Sequence, residues 1–270
     1  MFTTKSVSRP EPAIDGRAAP RLADCAVLLV GHGSSKRPAA SLSLERHATA
    51  LRASGGIGEV HTVSLIGGRT APGEVLQRIG RKTIAIVPMM MCDGWTTREV
   101  IPEILGLGGD GPRADGRRIV ICGPVGLHPD LARLIAERAA DATALTGAPT
   151  GSATLLLIAH GSTRNAASHD ATELQAGRLR SMGRFRAVAT AYLEQAPRLA
   201  EVVAGLIPPV VAVGLFAAPG QHATRDVAAV LNKHPAGGIS DLGPIGDDAA
   251  IPRLLLQMVE SHLHGCVDPN

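Results

Sequence analysis

Two histidines follow apolar segments directly in this chain of 270 residues. Residues 28–37 read LLVGHGSSKR, and residues 155–164 read LLLIAHGSTR. The Gly-Ser pair after each histidine indicates a sharp turn at the end of a buried strand, where an imidazole can face a ligand. Neutral imidazole is a good ligand for first-row divalent metals. We therefore treat His32 and His160 as candidate chemical groups.

Two further residues of the second half have the same kind of position. His222 follows the apolar segment VVAVGLFAAPGQ, and Glu194 closes a third predicted strand in TAYLEQAP. Two histidines and one carboxylate with open coordination positions hold a metal without enclosing it. The sequence therefore predicts a metal site formed by His160, Glu194 and His222, which are also the predicted catalytic residues.

The first half retains only part of this set. The sequence alignment of the two halves matches Trp95 to His222 and Gly67 to Glu194, so His32 alone remains. One histidine does not build a metal site, and we expect the N-terminal copy to be chemically inert. Trp95 is the only tryptophan of the chain, and a flat apolar side chain there could pack on a flat ligand.

The elements that must position these residues are duplicated. After each His-Gly-Ser segment the same order of predicted helices and strands returns, WTTREV aligns with HATRDV, and GPVG aligns with GPIG. Short apolar strands alternating with amphipathic helices predict an α/β fold of two duplicated parallel-sheet sandwich domains. We expect a disordered leader at 1–24, domains at 25–144 and 154–264, and a linker near 145–153. Both His-Gly-Ser turns should open onto a central cleft.

Composition excludes several classes of partner. Aromatic residues make up 2% of the chain and the formal net charge is +3, so neither base stacking nor a strong basic field indicates a nucleic-acid partner. The four cysteines form no Cys-x-x-Cys pair, which is typical of reduced thiols in the cytoplasm. No secretory signal or membrane span is predicted. His47, on a predicted helix, is expected to be solvated or to cap that helix. The oligomeric state is left open between monomer and homodimer.

The ordered motifs resemble those of a known family, the class II tetrapyrrole chelatases, and among them the sirohydrochlorin cobaltochelatase/ferrochelatase group of the CbiX type. VGHGS with IVPMMMCDGWTTREVIPEIL and RIVICGPVG reads like one family domain, and IAHGS with VGLFAAPGQHATRDVAAVL reads like a second. The resemblance implies a chelatase-like fold and a lyase that inserts a divalent metal into a modified tetrapyrrole in cobalamin or siroheme biosynthesis. Cobalt, iron or nickel would be a substrate, and no permanently bound cofactor is implied.

The tetrapyrrole is the predicted small-molecule partner. The residues predicted to contact it are Ser162, Arg164, Arg225, His32 and Trp95, and the arginines are the nearest cations for its carboxylates. A non-catalytic metal or tetrapyrrole carrier would share every one of these residues and remains the alternative. A hydrolase with Ser162 as nucleophile lacks the Gly-x-Ser-x-Gly elbow. A dinucleotide enzyme lacks the glycine-rich turn after the first strand.

Overall fold

A computed structural model describes residues 20–34, 39–68, 70–107, 115–233 and 238–265, without the side chains of residues 39–40 and 221–223. The predicted leader at 1–24 lies outside these ranges except for its last five residues, in which Leu22–Asp24 form a 3-10 turn. Within the described ranges, no helix combines the length and apolarity that crossing a bilayer requires.

The strands form two sheets of four parallel strands each, with the orders β2-β1-β3-β4 and β6-β5-β7-β8. Their bounds are β1 Cys25–Gly33, β2 Glu59–Ile66, β3 Thr83–Met89, β4 Arg118–Ile121, β5 Thr154–Ala159, β6 Ala187–Tyr192, β7 Val210–Gly214 and β8 Ile239–Pro244. The central strands β1 and β5 are aliphatic and buried on both faces, as parallel strands covered by helices must be. The predicted duplicated α/β fold is confirmed.

Helices connect the strands in the predicted order. Their bounds are α1 Ala39–Ala53, α2 Pro72–Arg78, α3 Ile101–Ile104, α4 Leu131–Leu145, α5 Ala167–Ser181, α6 Leu199–Ala204, α7 Val227–Leu231 and α8 Ile251–Leu263. A π-helical turn precedes α3 at Thr96–Val100, and another precedes α7 at Gln221–Asp226. Single π-helical turns occur frequently at functional sites, and these two follow the third strand of each sheet.

The last helix of each half packs on the sheet of the other half. Helix α4, which follows the first sheet in the chain, contacts β7 and β8, and α8 contacts β3 and α1. The largest core cluster accordingly combines side chains of β1 and β5 with those of α1, α4, α5 and α8. Smaller cores lie under α2 and α3 on one side and under α6 and α7 on the other. The two halves therefore share one central core.

Equivalent polar contacts join the halves at two places. Gln175 on α5 donates from Nε2 to the carbonyl of Gly126 at 2.8 Å, and His47 on α1 lies 2.8 Å through its Nε2 from the carbonyl of Gly246. Both side chains are buried, and each glycine closes a Gly-Pro-x-Gly turn. The expectation that His47 is solvated or caps its helix was wrong, because α1 faces the shared core.

Strand register relates the two halves residue by residue. Ala26 of β1 pairs with Glu59 of β2, and Thr154 of β5 pairs with Ala187 of β6. Each residue of the first pair therefore has its counterpart 128 positions later in the chain. The same offset relates His32 to His160 and the helices α1 and α5. It matches Glu194 to Ile66, so the sequence alignment that chose Gly67 was wrong by one residue. Neither residue provides a carboxylate.

Candidate active site

The backbone joins His160 and Glu194 at the carboxyl edge of the second sheet. His160 directly follows β5, and Glu194 lies two residues after the end of β6. The Glu194 N–H donates to the His160 carbonyl at 2.9 Å. Since β5 and β6 are parallel neighbours, their ends meet at one edge and bring the two side chains together.

The side chains of this pair approach each other in an open position. His160 Nδ1 lies 3.5 Å from Glu194 Oε2, and the side chains are 41% and 55% exposed. The same Nδ1 lies 3.2 Å from the carbonyl oxygen of Gly161. In the tautomer with the proton on Nδ1, toward these two acceptors, Nε2 is the nitrogen with the lone pair for a cation. The arrangement offers one imidazole nitrogen and one carboxylate to a solvated cation.

Two side chains that the sequence reasoning missed hold the His160 turn. Gln195 Oε1 accepts the N–H of Ser162 at 2.7 Å, and Ser168 Oγ accepts the N–H of Gly161 at 3.2 Å. Gly161 has φ of +74°, a conformation that favours glycine. At the matching positions the first half has Gly67 and Ala40, so comparison of the repeats at the correct offset would have drawn attention to both residues.

The backbone of His222 lies in the π-helical turn after β7. Strand β7 pairs with β5 on the side opposite β6, so this turn, the His160 turn and Glu194 follow three adjacent strands. The side chain of His222 lies outside the described part of the chain. Among the side chains that the structure does describe, no group of three His, Cys, Asp or Glu residues could hold a metal. The predicted set of His160, Glu194 and His222 stays a prediction, with the first two residues in contact.

The residues predicted to contact a tetrapyrrole in this half have different surroundings. Ser162 Oγ accepts the N–H of Arg164 at 3.1 Å, which closes the turn after His160. The side chain of Arg164 is exposed, and that of Arg225 is exposed in the π-helical turn that contains His222. Both cations therefore lie at the carboxyl edge of the sheet, Arg164 in the turn after His160 and Arg225 in the π-helical turn, and are open to an anionic ligand.

A buried tyrosine lies two residues before Glu194 in the chain. Tyr192, the last residue of β6, is fully buried, and the ring of His169 stacks on it with centroids 5.6 Å apart. Burial raises the pKa of Tyr192, and the nearby Glu173 carboxylate acts in the same direction. Tyr192 is therefore a buried, neutral phenol.

The first half presents His32 and Trp95 at its own carboxyl edge. His32 is exposed within β1, and Trp95, just before the first π-helical turn, is 69% exposed. A Cβ on Gly94, the residue before Trp95, would lie 3.8 Å from the Cβ of Ala167, the first residue of α5. Gly94 therefore lies beside the second half, at a residue seven positions after His160.

With its two matching halves and with His160 beside Glu194, the chain has the architecture expected of a class II tetrapyrrole chelatase. The CbiX family model matches it twice, over residues 26–142 and 154–262. The chain belongs to the CbiX family.

Individual relatives agree with this assignment. The chain is 30% identical over 224 aligned residues to the "Probable sirohydrochlorin cobaltochelatase" of Halobacterium salinarum. The alignment covers 75% of this chain and 75% of that protein. It is 27% identical to the solved structure of CbiX, described as the terminal enzyme for biosynthesis of siroheme in denitrifying bacteria, with a TM-score of 0.68 over 87% of this chain and 98% of the other. SirB from Bacillus subtilis with Fe³⁺ has 21% identity and a TM-score of 0.71 over 88% of this chain and 95% of that one. That last likeness concerns the fold alone.

Proposed function

We propose that this chain is a lyase that inserts cobalt or iron into sirohydrochlorin or a related tetrapyrrole, in cobalamin or siroheme biosynthesis. The observation that carries the proposal is the contact of His160 with Glu194 at the carboxyl edge of a sheet in a chain of the CbiX family. The relative from Halobacterium salinarum is named for the same class of reaction. The divalent metal is a substrate, and the proposal includes no permanently bound cofactor.

Insertion exchanges two pyrrole protons for one divalent cation. In the proposed reaction His160, through Nε2, and His222 replace water on the cation, and Glu194 offsets part of its charge. The two pyrrole protons leave one at a time to the carboxylate of Glu194, the base beside the metal, which passes each proton on to water from its exposed position. The exposure of the pair suits a site that must hold the cation loosely, since the metal has to leave for the macrocycle.

The remaining predicted residues would hold the tetrapyrrole. Arg164 and Arg225 would pair with its carboxylates, with Ser162 shaping the turn between them and His160. His32 and Trp95 would contact it from the first half. We further propose the division into an N-terminal domain at 25–144 with a degenerate site and a C-terminal domain at 154–264 with the active site. A cytoplasmic location and a monomeric or homodimeric state complete the proposal.

A spectrophotometric insertion assay tests the function. The purified chain would be mixed with sirohydrochlorin and Co²⁺, Fe²⁺ or Ni²⁺, and the absorbance bands of the metallated product would be followed against a blank without protein. We expect catalytic turnover with at least one metal. Stoichiometric binding of metal or tetrapyrrole with no rate above the blank would contradict the proposal and identify a carrier.

A further inference from the structure

Three large apolar side chains are exposed at the carboxyl edge of the first sheet. Leu42, in the first turn of α1, is 61% exposed, Ile66 at the end of β2 is 44% exposed, and Trp95 after β3 is 69% exposed. Exposed apolar side chains that cluster on one surface often mark a binding site. This cluster lies on the half that lacks the metal-binding residues.

The corresponding positions of the second half are polar. At the offset of 128 positions Leu42 matches Asp170 and Ile66 matches Glu194. Trp95 adjoins the π-helical turn equivalent to the one that contains His222, and the two turns differ in length by one residue. One half therefore carries groups that bind a cation, and the other carries apolar groups in the same places.

Contacts place the three apolar residues along one edge. Ser41 Oγ lies 3.4 Å from Ser64 Oγ, so the start of α1, which carries Leu42, lies beside the end of β2, which carries Ile66. Strand β1 lies between β2 and β3, so His32 separates these two residues from Trp95. Gly94, the residue before Trp95, lies beside Ala167 at the start of α5, next to Ser168, which binds the N–H of Gly161 in the His160 turn.

We propose that Leu42, Ile66 and Trp95, which we call the apolar wall, pack against one face of the tetrapyrrole macrocycle while His160 and Glu194 act on the other face. This inference rests on the proposed function. The faces of a macrocycle are flat and apolar and its carboxylates lie at its rim, so burial against the wall removes apolar surface from water. None of the three wall residues is a metal ligand, and His32 between them is a single imidazole, which does not build a metal site on the face opposite Glu194.

The only tryptophan of the chain provides the measurement, because Trp95 belongs to the wall. The intrinsic fluorescence of the intact chain would be titrated with metal-free sirohydrochlorin, and insertion rates would be measured in parallel. The double variant Leu42→Ser, Ile66→Ser keeps Trp95 as the reporter. The control is Leu145→Ser, at the end of α4, where the leucine is 90% exposed.

We expect the tetrapyrrole to quench Trp95, and we expect the double variant to raise both the Kd from quenching and the KM for tetrapyrrole about 10-fold, with kcat little changed. The control should match the wild type. Wild-type Kd and KM in the double variant would overturn the proposal that the apolar wall binds the macrocycle. A double variant that changes only the sedimentation coefficient would also overturn it, because the surface would then join two copies of the chain. Quenching with wall-dependent Kd but no insertion would contradict the proposed function alone.

Discussion

Replacement of Glu194 by glutamine should separate catalysis from stability. The carboxylate is 55% exposed and lies 3.5 Å from His160 Nδ1, and exposed ion pairs contribute about 0–1 kcal/mol to folding. Glu194→Gln keeps the shape of the side chain and its backbone bond to His160. We therefore expect the free energy of unfolding to change by no more than about 0.5 kcal/mol. The insertion rate should fall about 10²-fold, the usual effect of losing a general base.

Both quantities can be measured on the same preparation. Urea unfolding followed by circular dichroism gives stability, and the absorbance assay with sirohydrochlorin and Co²⁺ gives kcat and KM. Glu201→Gln is the matched control, because Glu201 is an exposed carboxylate on the neighbouring α6 whose contact is with the Arg198 backbone N–H. Wild-type turnover in Glu194→Gln would refute the proposed role, and an equal loss in Glu201→Gln would show a general effect of charge.

Two further predictions concern the turn and the shared core. Gln195→Ala removes the acceptor of the Ser162 N–H. We therefore expect kcat to fall about 10-fold and the free energy of unfolding to fall by about 1 kcal/mol. An unchanged kcat would show that the His160 turn keeps its geometry without Gln195. Burial holds the pKa of His47 below its ordinary value, against the opposing Gly246 carbonyl and Asp247, while Arg46 also lowers it. The unfolded chain therefore binds a proton at His47 more readily than the folded chain does. The contribution of His47 to the free energy of unfolding should be fully present above about pH 6.5 and should be lost below that pH, by at most about 1.4 kcal/mol per pH unit. His47→Gln, which copies Gln175, should flatten urea-denaturation stability between pH 7.5 and 5.5, with the buried His128 responsible for a remaining slope; an unchanged slope would exclude His47.

Local patterns were sufficient to predict the elements and their order. The aliphatic run before His160 and the Gly-Ser after it predict a buried strand and a turn, and β5 ends one residue before that histidine. Glu194 was assigned to a strand end from its own segment, and the parallel pairing of β5 with β6 then accounts for its contact with His160. These features depend on short-range periodicity and on one general property of parallel sheets.

Long-range contacts were not predictable in the same way. The packing of α4 on β7 and β8 depends on which apolar surface each helix covers, and amphipathicity does not specify the partner. His47 was misjudged for this reason, because its partner Gly246 lies 199 positions away. The Gly67 assignment failed because an alignment without strand register can slip by one residue at a loop. Gln195 and Ser168 bind backbone N–H groups, and only a comparison of the repeats at the offset of 128, which the strand register supplies, sets them apart from Gly67 and Ala40 of the first half.

We attribute metal insertion to the second half of the chain. The most direct test compares kcat/KM for Co²⁺ insertion into sirohydrochlorin in His160→Ala and His32→Ala, two equivalent histidines of one chain, with folding of both checked by circular dichroism. We expect His160→Ala to abolish insertion above the protein-free blank and His32→Ala to retain much of the wild-type value. Equal losses in both variants, or a larger loss in His32→Ala, would contradict it.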